Sequence, residues 1–361
     1  MMKIYNTIFL SLVFFVVCSC AAIMLWSQPI TGDLTRISGY PERWFGWNTP
    51  QQNITPTTNT PRKEGASHIL VVGDSFSEAG YWQSFLKEKY TFSFIHSGKT
   101  NLNAVIARIA QEKIDAVVIE TVERSMYSMY GSATTFTKPL SDCQLPLIER
   151  EAPPDASKLY THIAELPLFP DRSRITKPIS GNNISEGFHT FKLNSEAFFK
   201  PRKRKAKILA LTSSNLFSNT RSDQLLSLSR DFLLYNNINE VDLNMLHCTI
   251  RATAQALAAT QIPFVILTLP DKTTAYQPYL ADEKLRQKTS LAESINMNAA
   301  TTHGVDMLPA IRTLIAAGDQ DIYLPNDTHW GYRGFQLAAV LIDEKLAPQL
   351  PNSTSTTNTH D

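Results

Sequence analysis

Apolar residues in this chain come in short runs, separated by segments with a helical period. His68–Val72, Ala116–Glu120 and Pro263–Leu269 are apolar nearly throughout, and Thr91–Ile95 and Val305–Leu308 are shorter runs of the same kind. Runs of this length that do not alternate with polar residues suit strands buried on both faces of a parallel sheet. Helical patterning fills the gaps. Ala79–Leu86 follows the first run and Leu102–Ile114 the second. Asn244–Thr260, Glu283–Ala299, Pro309–Ala317 and Gly334–Leu346 follow later. The strand–helix alternation predicts an α/β domain of three layers, α/β/α, around a central parallel sheet.

The regularity fails between residues 123 and 206, where prolines such as Pro139, Pro153, Pro154 and Pro170 break any period. So long a stretch predicts a functional insertion after the third strand, lying over the sheet. Lys207–Leu211 reads as a strand within or after it. The chain ends are patterned differently again. Residues 4–26 carry no charged side chain and follow Lys3. They predict an N-terminal transmembrane anchor occupying residues 1–26, with the body outside the cytoplasm. That places the body at the periplasmic face of a bacterial inner membrane. A cleaved signal peptide is the alternative. Residues 27–66, rich in Gln, Asn, Thr and Pro toward their end, predict an extended stalk. The folded domain then spans 67–349, and 350–361 read as a disordered polar tail.

Composition narrows the function classes. Across 361 residues, 34 basic and 33 acidic side chains leave a net charge of +1, so nucleic acid is not expected as a partner. The cluster Arg202–Lys205 reads as a solvated loop. Of four cysteines, Cys143 and Cys248 lie in the body, where a disulfide and two buried thiols are equally consistent. No cysteine–histidine spacing suggests a metal, and no glycine loop suggests a nucleotide, so no metal and no cofactor is expected.

The chemistry concentrates in two places. Gly73-Asp74-Ser75-Phe76-Ser77 puts Ser75 at the end of the first strand, on the turn into a helix. Open α/β sheets place their sites there. A serine hydroxyl needs a base to take its proton and donors to hold an oxyanion. Asp327 and His329, two residues apart in a loop, put both side chains on one side of an extended backbone. The carboxylate then fixes the imidazole tautomer and leaves the other ring nitrogen for Ser75. The Ser75 amide and the amide of Gly98, at the end of the second strand, are the expected oxyanion donors. Lys272 and Tyr276 follow the strand Pro263–Leu269 and stand either to contact substrate or to support the fold.

These stretches resemble the SGNH (GDSL-like) hydrolase superfamily, in which the serine is the nucleophile and the Asp–His pair activates it. More closely, Glu120–Ser125, Pro270–Tyr276, Asp327–Trp330 and Thr31–Arg36 are similar to the AlgX/AlgJ-like branch of polysaccharide O-acetyltransferases. The resemblance runs from about residue 31 to 347, patchily across the insertion. It departs from the superfamily in lacking a Gly-x-Asn-Asp block, whose place Glu120–Arg124 takes. Arg124 either substitutes as oxyanion donor, binds an anionic sugar, or pairs with Glu120 or Glu123. The serine comes first and the Asp–His pair last, whereas some alginate acetyltransferases are circularly permuted, so the polymer is left open. The resemblance implies an acetyl-Ser75 intermediate, a polysaccharide acceptor, and a membrane-bound O-acyltransferase supplying acetyl. A carbohydrate esterase with the same residues, and a non-catalytic polysaccharide-binding protein, are the rival readings.

Overall fold

The computed structural model describes residues 2–26, 32–40, 42–131, 136–138, 205–231, 240–295 and 301–350. Five strands form the central sheet: β1 (Ser67–Gly73), β2 (Tyr90–His96), β3 (Ala116–Val122), β6 (Phe264–Leu269) and β7 (Gly304–Asp306). Their order is β2-β1-β3-β6-β7, and every pairing is parallel. The expected α/β architecture is what the structure shows.

The apolar runs explain the layering. Successive strand residues point to opposite faces. Ile69, Val71, Val118 and Leu267 pack on one face with Leu337 and Val340 of the helix Tyr332–Leu346. Leu70, Val72, Ile119 and Ile266 pack on the other with Val105 of the helix Leu102–Glu112 and Leu246 of the helix Glu240–Ala258. A sheet covered on both faces has little room for polar alternation: β1, β3 and β6 show none, and only on the edge strand β2 do Thr91 and Ser93 alternate with Phe92 and Phe94.

Register decides where the loops emerge. Gly73 pairs with His96, Val72 with Ile119, and Val122 with Leu269. The carboxyl ends of β1, β2, β3 and β6 therefore lie along one sheet edge. Ser75, Gly98, Arg124 and Lys272 each follow one of these ends within a few residues.

The strand expected over Lys207–Leu211 is present, outside the main sheet. Residues Ala206–Ala210 (β4) pair antiparallel with Gln224–Leu228 (β5) in a separate two-stranded sheet. In place of the helix expected over Glu283–Ala299, the described residues up to Ile295 form two short ones, Glu283–Arg286 and Leu291–Ser294. Asp282 caps the first, and a Ser290–Glu293 capping box starts the second. Local caps thus override a continuous period. The residues expected as a stalk are docked on the domain. Leu34, Tyr40 and Phe45 pack with Ala206, Leu226 and Leu228 of the small sheet. Thr60 donates its amide to the Phe92 carbonyl at 2.9 Å.

At the N-terminus, Met2–Trp26 is helical, and its described apolar side chains are exposed, Phe14 and Phe15 among them. Among the described residues no helix is long and apolar enough to cross a membrane, so the expected transmembrane anchor is not supported. Most of the expected insertion, the Arg202–Arg204 part of the basic cluster, Cys143, and the tail beyond Leu350 lie outside the described residues. Cys248 is disulfide-bonded.

Ile119 on β3 is fully buried, and Ile208 on β4 is among the exposed large apolar residues. Ile119→Ala is expected to cost about 2–5 kcal/mol in denaturant melts. Ile208→Ala is expected to cost less than about 1 kcal/mol.

Candidate active site

Asp74 closes β1 and starts the short helix Ser75–Glu78. Its carboxylate accepts the Phe76 amide at 3.0 Å and the Val122 amide at 3.2 Å. Ser75 is the first residue of that helix, so its own amide has no intrahelical acceptor and points out of the helix start. From across the sheet, Glu120 of β3 accepts the Asp74 amide at 3.0 Å and the Ser77 hydroxyl at 2.9 Å. Gly73 is required here, because a side chain on it would lie 2.5 Å from Glu120 Oε2. Complete burial, with the nearby Asp74 charge, holds the Glu120 carboxyl well above the ordinary carboxylate range. Glu120 thus acts as a neutral brace for the turn that presents Ser75.

His329 meets Ser75 across this turn. Its Nε2 lies 2.8 Å from Ser75 Oγ, and its Nδ1 lies 2.6 Å from Asp327 Oδ1. Asp327 Oδ1 also accepts the His329 amide at 2.9 Å, which locks the two-residue spacing. The buried Phe76 ring packs against the His329 ring at 4.8 Å and the Trp330 ring at 4.7 Å, so the imidazole has a fixed wall. Burial works against the His329 charge, but the Asp327 hydrogen bond and charge outweigh it and raise the imidazole above its usual value. Burial alone would raise the Asp327 carboxyl, yet the bonds from His329 and from the Asp33 amide bring it well below the ordinary carboxylate range.

Two features of this loop escaped the sequence reading. The first is Asp33. Its amide donates to Asp327 Oδ2 at 3.0 Å, and its carboxylate accepts the Thr328 amide at 2.8 Å and the Thr328 hydroxyl at 2.5 Å. The amides of Leu34 and Thr35 both reach the Asn326 carbonyl. Backbone meets backbone so closely that a side chain at Gly32 would lie 1.9 Å from the Asn326 oxygen. The glycine–aspartate pair in the stretch Thr31–Arg36 was the available signal. The second is the role of Lys272. Its ammonium is buried and donates to the carbonyls of Leu324 at 2.7 Å, Pro325 at 2.9 Å and Asp327 at 3.2 Å. Burial pushes this ammonium down to about 7, but three protons facing three carbonyl oxygens is the arrangement of the charged form.

The remaining candidates are placed elsewhere. Lys272 is buried beneath the loop and is not open to substrate. Tyr276 is fully buried, stacked on Phe217 at 4.6 Å, with its hydroxyl 3.4 Å from the Tyr323 amide. The Gly98 amide donates to its own neighbour, His96 Nδ1, at 3.0 Å, and so is already engaged. Arg124 pairs with Asp271, not with Glu120 or Glu123, and its side chain is 6% exposed, which removes it from contact with a polymer. Glu123 instead accepts the amides of Asp271 and Ala292, each at 2.9 Å. Burial, with the Asp271 charge, pushes its carboxyl up to about 7.

Ser75, Asp327 and His329 open onto a cleft of about 480 Å³, walled on one side by Trp47 and residues 51–54. Asp33, Asp327 and His329 offer ligand atoms within 4.8 Å of one another, close enough to share a cation. The Asp327 and His329 atoms are already spent on each other and on Ser75.

A parallel α/β sheet with a serine at the β1 edge facing an Asp–His pair from a late loop fits an SGNH hydrolase-like domain. More particularly, the family described as the SGNH hydrolase-like domain of acetyltransferase AlgX matches residues 226–360. The match covers Asp327 and His329, and Ser75 precedes it. It shows the resemblance read from the shorter stretches and supports an acyltransferase-like enzyme. No curated protein and no solved structure matches the chain.

Two outcomes follow from this geometry. Arg124→Ala would strand Asp271 as a buried charge and should cost about 3–5 kcal/mol in denaturant melts. The Asp33 charge also favours the His329 imidazolium. A base must be neutral to act, so activity on an activated acetyl ester should fall as pH drops through a His329 value above 6.5. In Asp33→Asn that acid limb should move to lower pH, as read from pH–rate profiles and from His329 ring NMR shifts.

Proposed function

We propose that this chain is an extracytoplasmic O-acetyltransferase that moves acetyl groups onto a polysaccharide through an acetyl-Ser75 intermediate. The observation carrying this reading is the unbroken relay Asp327–His329–Ser75, with bonds of 2.6 and 2.8 Å, at the mouth of the cleft. Ser75 Oγ would attack the acetyl carbonyl carbon as its proton passes to His329 Nε2. The donor's leaving oxygen would then take that proton as its bond to the acyl carbon breaks. In the second half, a sugar hydroxyl would give its proton to His329 and attack the acetyl carbon. Ser75 Oγ would leave and recover the proton. The Ser75 amide, free at the helix start, is the supported oxyanion donor.

The proposed acetyl supplier is a membrane-bound O-acyltransferase, as the family resemblance implies, and the acceptor is a cell-surface or exported polysaccharide. A place against the outer side of the bacterial inner membrane rests on the exposed apolar side chains of the helix Met2–Trp26. One observation favours hydrolysis as a second reading: Ser75 is exposed, so water can reach an acetyl group on it.

Intact mass of the full chain in detergent, incubated with an activated acetyl ester, tests this. One acetyl on the protein, absent in Ser75→Ala and discharged onto oligosaccharide, is the expected result. Discharge to water alone would make the chain an esterase. No Ser75-dependent acetylation would exclude both and leave the polysaccharide-binding role.

A further inference from the structure

The cleft beside Ser75 has a charge character that bears on its substrate. Among the described residues it is lined by no lysine and no arginine. Asp327 is engaged by His329, which leaves Glu78 as the exposed carboxylate of the cleft. Two cations close to the site are committed elsewhere: Arg124 to Asp271, and Lys272 to three carbonyls under the loop. The walls are aromatic and amide-bearing. Trp47, Tyr81 and Phe335 present ring surface, and Gln52 and Asn53 present neutral hydrogen-bonding groups. Rings offer the apolar faces of sugars a flat partner, and amides suit hydroxyls. A carboxylated sugar would bring a like charge toward Glu78 with no cation among the described lining residues to receive it, and like-charge juxtaposition rejects such partners.

We infer that the acceptor taken by this cleft is an uncharged glycan, and that Glu78 with its aromatic surroundings excludes uronate polymers. This rests on the acyl-transfer reading for what happens to the glycan, but not for its binding.

The test separates the two. Calorimetry on the full-length Ser75→Ala chain in detergent measures binding without chemistry. The neutral probes are cellohexaose, maltohexaose and hexa-N-acetylchitohexaose; the anionic probes are hexamannuronate and hexagalacturonate. At least one neutral probe is expected to bind about tenfold tighter than either uronate. Glu78→Lys is expected to shrink that ratio about tenfold, and Trp47→Ala to weaken the neutral probe by a similar factor. Equal or tighter uronate binding, a ratio unmoved by Glu78→Lys, or no binding of any neutral probe would overturn the inference. Wild-type acetylation by the activated ester is scored independently. Its failure alongside selective neutral binding would count against the transferase and leave the preference for neutral glycans standing.

Discussion

Everything reactive in this molecule depends on one irregular loop keeping its shape, and a buried ammonium sits at its centre. Residues 324–329 carry the Asp–His pair, and three of their carbonyls turn toward a buried side chain. Lys272 answers all three from the end of β6. Its side chain also lies over the Phe217 ring at 5.2 Å, so the charge is not left bare on its other side. A loop held this way has little freedom to drift, and a base that must meet a hydroxyl within hydrogen-bond distance tolerates little. The sheet places the serine, and the ammonium places its partner.

Around that point the structure uses buried carboxyls as braces. Glu120 ties the Ser75 turn to β3, and Glu123 ties β3 to the start of the segment that holds Lys272. Both are wholly enclosed, and both are held toward the neutral form by burial. A protonated carboxyl can accept backbone amides without the cost of an enclosed charge. The same stretch that lacks the side-chain donor of simpler SGNH enzymes therefore has a clear structural task. In this chain it secures the geometry.

How much was legible in the sequence follows from how local each feature is. Strands apolar on both faces announce themselves, and so does a serine on a strand-to-helix turn. Asp327 and His329 were legible from their spacing of two, although the backbone there bends instead of running extended, and one Asp327 oxygen meets both the amide and the ring of His329. Lys272 and Tyr276 were placed at the right end of the right strand, but a strand end does not say whether a side chain faces the solvent or the interior. The Gly98 amide was lost to a neighbouring imidazole two residues away. Asp33 was hidden for the opposite reason. Its partners Asp327 and Thr328 lie nearly three hundred residues downstream, and the polar segment after it reads as a tether until its contacts are seen.

That docked segment sets a length scale for the whole molecule. Asp33 bonds directly to Asp327, and it follows Trp26, the last residue of the N-terminal helix, by only seven positions. Seven residues of chain, however they run, reach at most about 25 Å. The site therefore cannot range far from the end of that helix. If the helix rests against a lipid surface, the serine works within a thin zone beside it, like a tool on a short leash. On the proposed reading, an acetyl group delivered at the membrane would then have only a short way to travel, and a polymer acceptor would have to come to the surface to receive it.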